Sequence, residues 1–316
     1  MKRIKTVMKN QTPHKSNKTA KTLLLTLFLL GTTLYSKAQL TPFQNMYFQN
    51  KYIYNPAMAG LSEGLNINAN YRQQWSNFPG TPKTGLLTAD LHATDKVGLG
   101  LNVTADEAGL IKSTRVMGTY AYHLQLEGEN QHLSFGLSLG VSDSRVKYSL
   151  INGDPTDPEI ARYNQLKPYL DGDFGVAYTS NSLYIGAAMP NMKSTFFRNS
   201  DERLDVNKPL FIGIVSYKIP VGDGGNFKLE PLAGLRVIKG NTDIVDVGAN
   251  FNMDQYGLFF QTIYHSSQSL GFGAGMDQQN FGFNISYNIE TGPLTTYTNG
   301  TFEVGVKLKL FNKKAK

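Results

Sequence analysis

His92, His123, His132 and His265 are the general-base and metal-ligand candidates of residues 39–316. They are widely separated, and none stands in an H-x-x-x-H or H-E-x-x-H spacing, so the sequence offers no zinc site. Ser is abundant, but no nucleophile elbow places one Ser beside one His. The chain has no Cys, which removes thiol catalysis, disulfides, Cys-ligated zinc and lipoprotein anchoring through an N-terminal Cys. The Gly-rich stretches Gly98-Leu99-Gly100 and Gly271–Gly275 fall in mid-strand rather than opening a helix. They read as small residues facing an interior, not as phosphate cradles. Asp154, Asp157 and Glu159 in the loop NGDPTDPE are a weak calcium candidate, because hard carboxylate oxygens at that density suit the ion. A solvated acidic turn gives the same composition. The expectation is a non-enzymatic chain with no catalytic residue and no cofactor.

The formal charge of +7 is misleading as a guide to partners. Eight of the 31 Lys and Arg lie in the first 38 residues, and the remaining 278 residues carry 23 basic and 24 acidic side chains. Nucleic-acid binding is excluded, since counterion release needs basic residues on the working domain. Residues 1–22 are basic and polar, Leu23–Tyr35 is apolar, and Ser36-Lys37-Ala38 offers small residues at a cleavage site. That order predicts a cleavable signal peptide over residues 1–38.

From residue 64 onward the chain alternates at period two. Leu133, Phe135, Leu137, Leu139 and Val141 interleave with Ser134, Gly136, Ser138, Gly140 and Ser142, and Phe281–Ile289 repeats the pattern. Such alternation marks strands with one apolar face. Fourteen segments qualify, roughly 64–73, 83–93, 97–105, 113–125, 131–144, 170–179, 182–189, 208–219, 226–238, 242–251, 255–265, 269–277, 280–289 and 300–311. Most have the length a tilted strand needs to cross a bilayer. Connections after even-numbered segments are short, whereas those after odd-numbered ones are longer, notably 145–169 and 190–207. Sorting by parity is the mark of an outer-membrane barrel, with short turns in the periplasm and long loops outside. The reading is therefore all-β: a transmembrane outer-membrane β-barrel of about fourteen antiparallel strands over residues 64–312, in the cell outer membrane, with a periplasmic tail at 313–316.

Closure leaves no unpaired backbone in lipid and turns the apolar side chains outward. Gly, Ser, Asn and Thr then line the interior, which the composition predicts to carry little charge. Tyr120, Tyr122, Tyr178, Tyr184, Tyr217, Tyr256, Tyr264 and Tyr287, near strand ends, fit interfacial girdles. In the last strand Glu303, Gly305, Leu308 and Leu310 resemble the C-terminal signal read by the barrel-assembly machinery. Residues 39–63 precede the first strand and hold Phe43, Tyr47, Phe48, Tyr52 and Tyr54, too many aromatics for a disordered tail. This segment is expected to pack on or in the barrel, against its lower lumen, with a short helix around Asn45–Gln49.

Asn55, Pro56, Ala57 and Gly60, then Tyr71, Arg72 and Trp75, then Gly80, Pro82 and Lys83, fall in an order and spacing that resembles the PorP/SprF family. These are outer-membrane proteins of Bacteroidota linked to type IX secretion and gliding motility. The resemblance implies a partner role in secretion or surface anchoring of an adhesin-like cargo engaged through its C-terminal domain. It also implies contacts with periplasmic secretion-ring or peptidoglycan-binding subunits, alongside outer-membrane lipid. The alternative is a passive porin or small-molecule transporter.

Overall fold

The computed structural model describes residues 45–75, 80–127, 130–147, 158–196, 209–222, 226–238, 242–296 and 298–311. The expected signal peptide, the tail 313–316, Asp154 and Asp157 lie outside them. The strands are β1 (Leu65–Gln74), β2 (Lys83–Thr94), β3 (Val97–Ala108), β4 (Ile111–Gln125), β5 (His132–Val146), β6 (Tyr169–Thr179), β7 (Leu183–Met189) and β8 (Pro209–Tyr217). There follow β9 (Ile219–Val221), β10 (Phe227–Ile238), β11 (Ile244–Met253), β12 (Leu258–His265), β13 (Ser269–Asp277), β14 (Phe281–Glu290) and β15 (Thr301–Leu310). β8 and β9 both pair with β10 in one continuous register, so they are two parts of one stave. Their break at Lys218 stands beside Pro231 of β10, which has no N–H to give the ladder.

Counted by staves, the sheet is a closed antiparallel barrel of 14. Each stave pairs with its neighbour in sequence, and β1 closes on β15 from Leu65↔Leu310 to Gln74↔Thr301. No helix among the described residues is long and apolar enough to cross a membrane; the strands do the crossing. Alternation puts the apolar row outside: Leu139 of β5 is 64 % exposed while its neighbour Ser138 is 3 % exposed. In water this surface would drive aggregation, and in lipid it is the solvated face.

The β3–β4 hairpin is taller than the alternation suggested. Both strands run on to Ala108↔Ile111 and turn through Gly109, whose φ of 57° suits a residue without a side chain. Across β3, β4 and β5 the outer rows read Val103–Val116–Val141, then Ala105–Thr114–Asp143, then Glu107–Lys112–Arg145. Glu107 holds Lys112 at 3.7 Å and Lys147 at 2.7 Å. The apolar band thus ends at the valine row, and the wall above it is built for water. Gly109-Leu110, the connection 239–243 and the turn 266–268 are short although they stand on the long-loop rim.

One girdle residue is misplaced by the sequence reading. Tyr184 shares its parity in β7 with Gly186 and Ala188 and is buried in the lumen. Tyr120, Tyr122, Tyr217, Tyr256, Tyr264 and Tyr287 are exposed on the outside.

Candidate functional site

The residues Asn45–Gly60 cross the lumen between the two rims. At the long-loop end the Asn45 N–H donates to Glu303 Oε2 at 3.2 Å, and its side-chain amide donates to Asn288 Oδ1 at 2.7 Å. Gln261 Nε2 donates to the Asn45 carbonyl at 2.8 Å, and Tyr47 donates to Asp246 Oδ2 at 2.5 Å. Asp246, Asn288 and Glu303 each lie two residues inside the long-loop end of their strand. Midway, Asn50 donates to Thr88 at 2.9 Å and Tyr52 meets Thr119 at 2.6 Å. The Lys51 ammonium is 3.2 Å from Glu230 and 4.5 Å above the Tyr184 ring. At the short-turn end His123 Nε2 bonds the Ala59 carbonyl at 3.0 Å, and the Gly60 N–H donates to Asp90 at 3.2 Å.

Two 3-10 turns, Lys51–Ile53 and Pro56–Met58, shape this segment. Asn55 caps the second one, its Oδ1 accepting the Ala57 N–H at 2.9 Å, and Pro56 supplies the fixed φ of a first helical position. They replace the short helix expected around Asn45–Gln49, where the chain makes only a turn. Asn45 and Gln49 commit their polar groups to the wall instead of to a local helix. Nor is the contact confined to the lower lumen, since Asn45 and Tyr47 reach the opposite end.

The wall is shaped to the segment. A Cβ at Gly98 would fall 1.9 Å from the Ala59 oxygen, one at Gly136 would fall 2.2 Å from the Ala57 nitrogen, and one at Gly175 would fall 2.0 Å from Asn55 Oδ1. Glycine is required there for approach, not for turning. Gly136-Leu137-Ser138-Leu139-Gly140 spells G-x-S-x-G but lies within β5, with no strand-to-helix turn, and Ser138 bonds Thr119 at 2.7 Å. The structure does bring one Ser to one His: Ser134 is 2.9 Å from His123 Nδ1. Cross-strand register made that pair, which the linear spacing hid. The other nitrogen of His123 is engaged with Ala59, so the pair pins the segment.

The expectation of a lightly charged lining is overturned. Arg72 and Glu303, 2 % and 0 % exposed, stand directly opposite across the β1–β15 closure at 3.3 Å. Asp246 takes Arg236 at 2.7 Å and His265 at 2.6 Å. Arg115 meets Asp173 at 2.7 Å and Asp171 at 3.3 Å. Small residues dominate by number, but these inward charges find partners on the adjacent strand or, for Arg115, one strand further round the wall. Arg236, Asp246 and Glu230 were missed by sequence reasoning. An isolated charge at an inward position of an alternating strand was the signal available.

The motif residues separate into three places. Asn55, Pro56, Ala57 and Gly60 form the lower half of the lumen segment. Arg72 lies at the closure, joined through Glu303 to Asn45, while Tyr71 faces outward. Trp75 is at the long-loop rim with φ 49°, its backbone N–H on the Gly300 carbonyl at 2.8 Å and its indole N–H on Glu290 at 3.4 Å. Gly80 accepts the Gly109 N–H, Pro82 accepts the Gln74 N–H, and Lys83 is exposed at the start of β2. Of the C-terminal set, Gly305 makes room for the Asn70 and Asn284 side chains, while Leu308 and Leu310 face outward. Glu159 is exposed on the helix Pro158–Gln165 and pairs with Arg162 at 3.5 Å. Among the described residues no group of three acidic or His side chains is placed to hold a metal.

Residues 36–308 match the family described as Type IX secretion system membrane protein PorP/SprF. The chain belongs to that family. This PorP/SprF chain has no match among curated protein sequences. Among solved structures it is similar to Omp33 of Acinetobacter baumannii, at 7 % identity and TM-score 0.46, over 79 % of this chain and 99 % of that one. The Pseudomonas putida toluene transporter TodX is similar at 8 % identity and TM-score 0.47, over 86 % and 94 % of the two chains. Outer membrane phospholipase A of Escherichia coli is similar at 7 % and 0.38, over 81 % and 98 %. Family and closed barrel together make this a type IX secretion protein of the outer membrane.

Proposed function

We propose that this PorP/SprF barrel is a non-enzymatic partner in type IX secretion, needed to secrete or anchor a cognate adhesin-like cargo through its C-terminal domain. Periplasmic secretion-ring or peptidoglycan-binding subunits are its second class of contact. The observation that carries the reading is the family match along residues 36–308, on a barrel whose lumen is crossed by Asn45–Gly60. In this reading Asn55–Gly60, Trp75 and Gly80–Lys83 act through shape. Residues 1–38 serve as the signal peptide that exports the chain.

The test is a gentle detergent pull-down of the tagged protein from its own outer membrane, read by mass spectrometry. Recovery of a large secreted protein through its C-terminal domain supports the anchoring role. Recovery of ring and peptidoglycan-binding subunits without cargo assigns it to the secretion core instead. A barrel that comes down alone, and gives steady conductance in planar bilayers, overturns the proposal in favour of a porin. Trp75→Ala, or deletion of residues 39–59, should leave the barrel assembled and abolish cargo display at the surface.

A further inference from the structure

Beyond Gly305 the inward row of β15 carries two lysines, Lys307 and Lys309, toward the short-turn end of the barrel. Gly282 of β14 pairs with Lys307 on one side and with Asp277 of β13 on the other. Its bare backbone lets the two side chains approach: a Cβ there would fall 3.1 Å from Asp277 Oδ1 and 3.4 Å from Lys307 Cβ. The carboxylate nevertheless goes to Lys309, at 2.5 Å, whose ammonium also donates to the Gln278 carbonyl at 3.0 Å. Asp90, the other acid near Lys307, is engaged by the Gly60 N–H at 3.2 Å and the Asn66 amide at 3.4 Å. Among the described residues the Lys307 ammonium is left with no hydrogen-bond or ion-pair partner.

Lys307 lines a cavity of about 120 Å³ beside the lumen segment, room for several waters or for the end of an acidic side chain. Its nitrogen is not one of the unpartnered atoms sealed within the wall, so the charge opens onto that space. The lining continues through Asn252, Asp277 and Gly282 to the short-turn rim, which is the periplasmic end of outer-membrane barrels. Most of the remaining polar lining is neutral carboxamide and supplies no counter-charge. A partly buried ammonium without one is costly, so the space asks for an anion. One free ammonium and no arginine line it, which balances a singly charged carboxylate. A phosphate dianion would leave negative charge uncompensated beside Asp277, and a metal cation would be repelled by Lys307.

We propose that this cavity is an anion site that takes one carboxylate from the periplasmic side, paired with the Lys307 ammonium. A free organic acid and an acidic side chain of a periplasmic polypeptide present the same group. Only the second source rests on the partner role proposed above.

The test follows acetylation of Lys307 by limiting acetic anhydride in the purified full barrel in detergent, read by peptide mass spectrometry with the exposed Lys83 as internal reference. The expected result is that acetyl-Gly-Glu-Gly-amide slows labelling of Lys307 severalfold, that acetyl-Gly-Gln-Gly-amide does not, and that Lys83 is unaffected. Sodium acetate protecting as well as the Glu peptide supports the site with a free acid as its source; protection by the peptide alone supports a polypeptide source. Lys309→Met frees Asp277 to neutralise Lys307 and should abolish the protection, and adding Asp277→Asn should restore it, with heat-modifiable gel mobility identifying folded variants. A Lys307 that resists acetylation without ligand, equal protection by the Gln peptide, stronger protection by inorganic phosphate than by either carboxylate, or no protection in the parent barrel overturns the proposal. Protection with a failed cargo pull-down removes the cargo reading alone, and the reverse result removes the anion site alone.

Discussion

The two ends of the lumen segment are held by different physics. At the long-loop end, Asn45 and Tyr47 meet buried charges, Glu303 and Asp246, each already engaged by an arginine. Those bonds are directional and gain strength from burial, but each buried ion has a large desolvation cost to recover. At the short-turn end, Asn55, Ala57 and Ala59 lie against Gly175, Gly136 and Gly98, where the wall has no Cβ to offer. Close packing does most of the holding there, with His123, Asp90, His92 on the Gly60 carbonyl and the Asn55 amide on the Val176 carbonyl adding polar pins. A charged end can lose one bond and still be recognised. A close-packed end either accepts the chain or excludes it.

That contrast predicts its largest effect at Gly136→Val. The side chain would collide with the Ala57 backbone, so the segment should leave its place and trypsin should cut after Lys51, a site protected in the parent barrel. Continued protection would mean that the wall yields and the steric account fails. Next comes Glu303→Ala, which strips Arg72 of its partner and Asn45 of its acceptor. Breaking one side of a buried pair costs about 3–5 kcal/mol, read by urea unfolding in vesicles, and a double-mutant cycle with Arg72→Leu should recover much of it. A loss as small as that of an exposed pair would deny the seam its role. Tyr47→Phe removes one hydrogen bond to a carboxylate, worth about 1.5–3 kcal/mol, and should leave Lys51 protected because the lower end still holds. Smallest is Glu107→Gln on the outer charged row, where exposed pairs contribute about 0–1 kcal/mol and added salt should erase the difference.

Much of the wall was legible because a strand's two faces are written in adjacent residues. The fourteen segments, their outward apolar rows and most of the outward tyrosines follow from parity alone. The misses share a cause. Tyr184 has an aromatic side chain on the inward parity, so its type suggested one face and its position decided the other. The extension of β3 and β4 to Gly109 carried polar residues where the bilayer ends, and apolar alternation has nothing to say there. In the candidate site, the aromatic content of residues 39–63 was visible, but its partners were not. Arg72 and Glu303 belong to different motifs at opposite ends of the chain, and only the closing pair of strands makes them neighbours.

The sequence by itself determined a chain of alternating strands that must close, because period two is local and lipid tolerates no unpaired edge. It also carried, in readable order, the residues on which the resemblance to the PorP/SprF family rested, and residues 36–308 match that family. The tertiary structure alone decided what the inward residues do. Whether a small residue is mere lining or the imprint of a docked segment, as at Gly98 and Gly136, depends on what lies across the lumen. Whether an inward charge is buried alone or paired, as at Arg236 and Asp246, depends on strand register. Both are properties of closure in three dimensions, and no spacing along the chain encodes them.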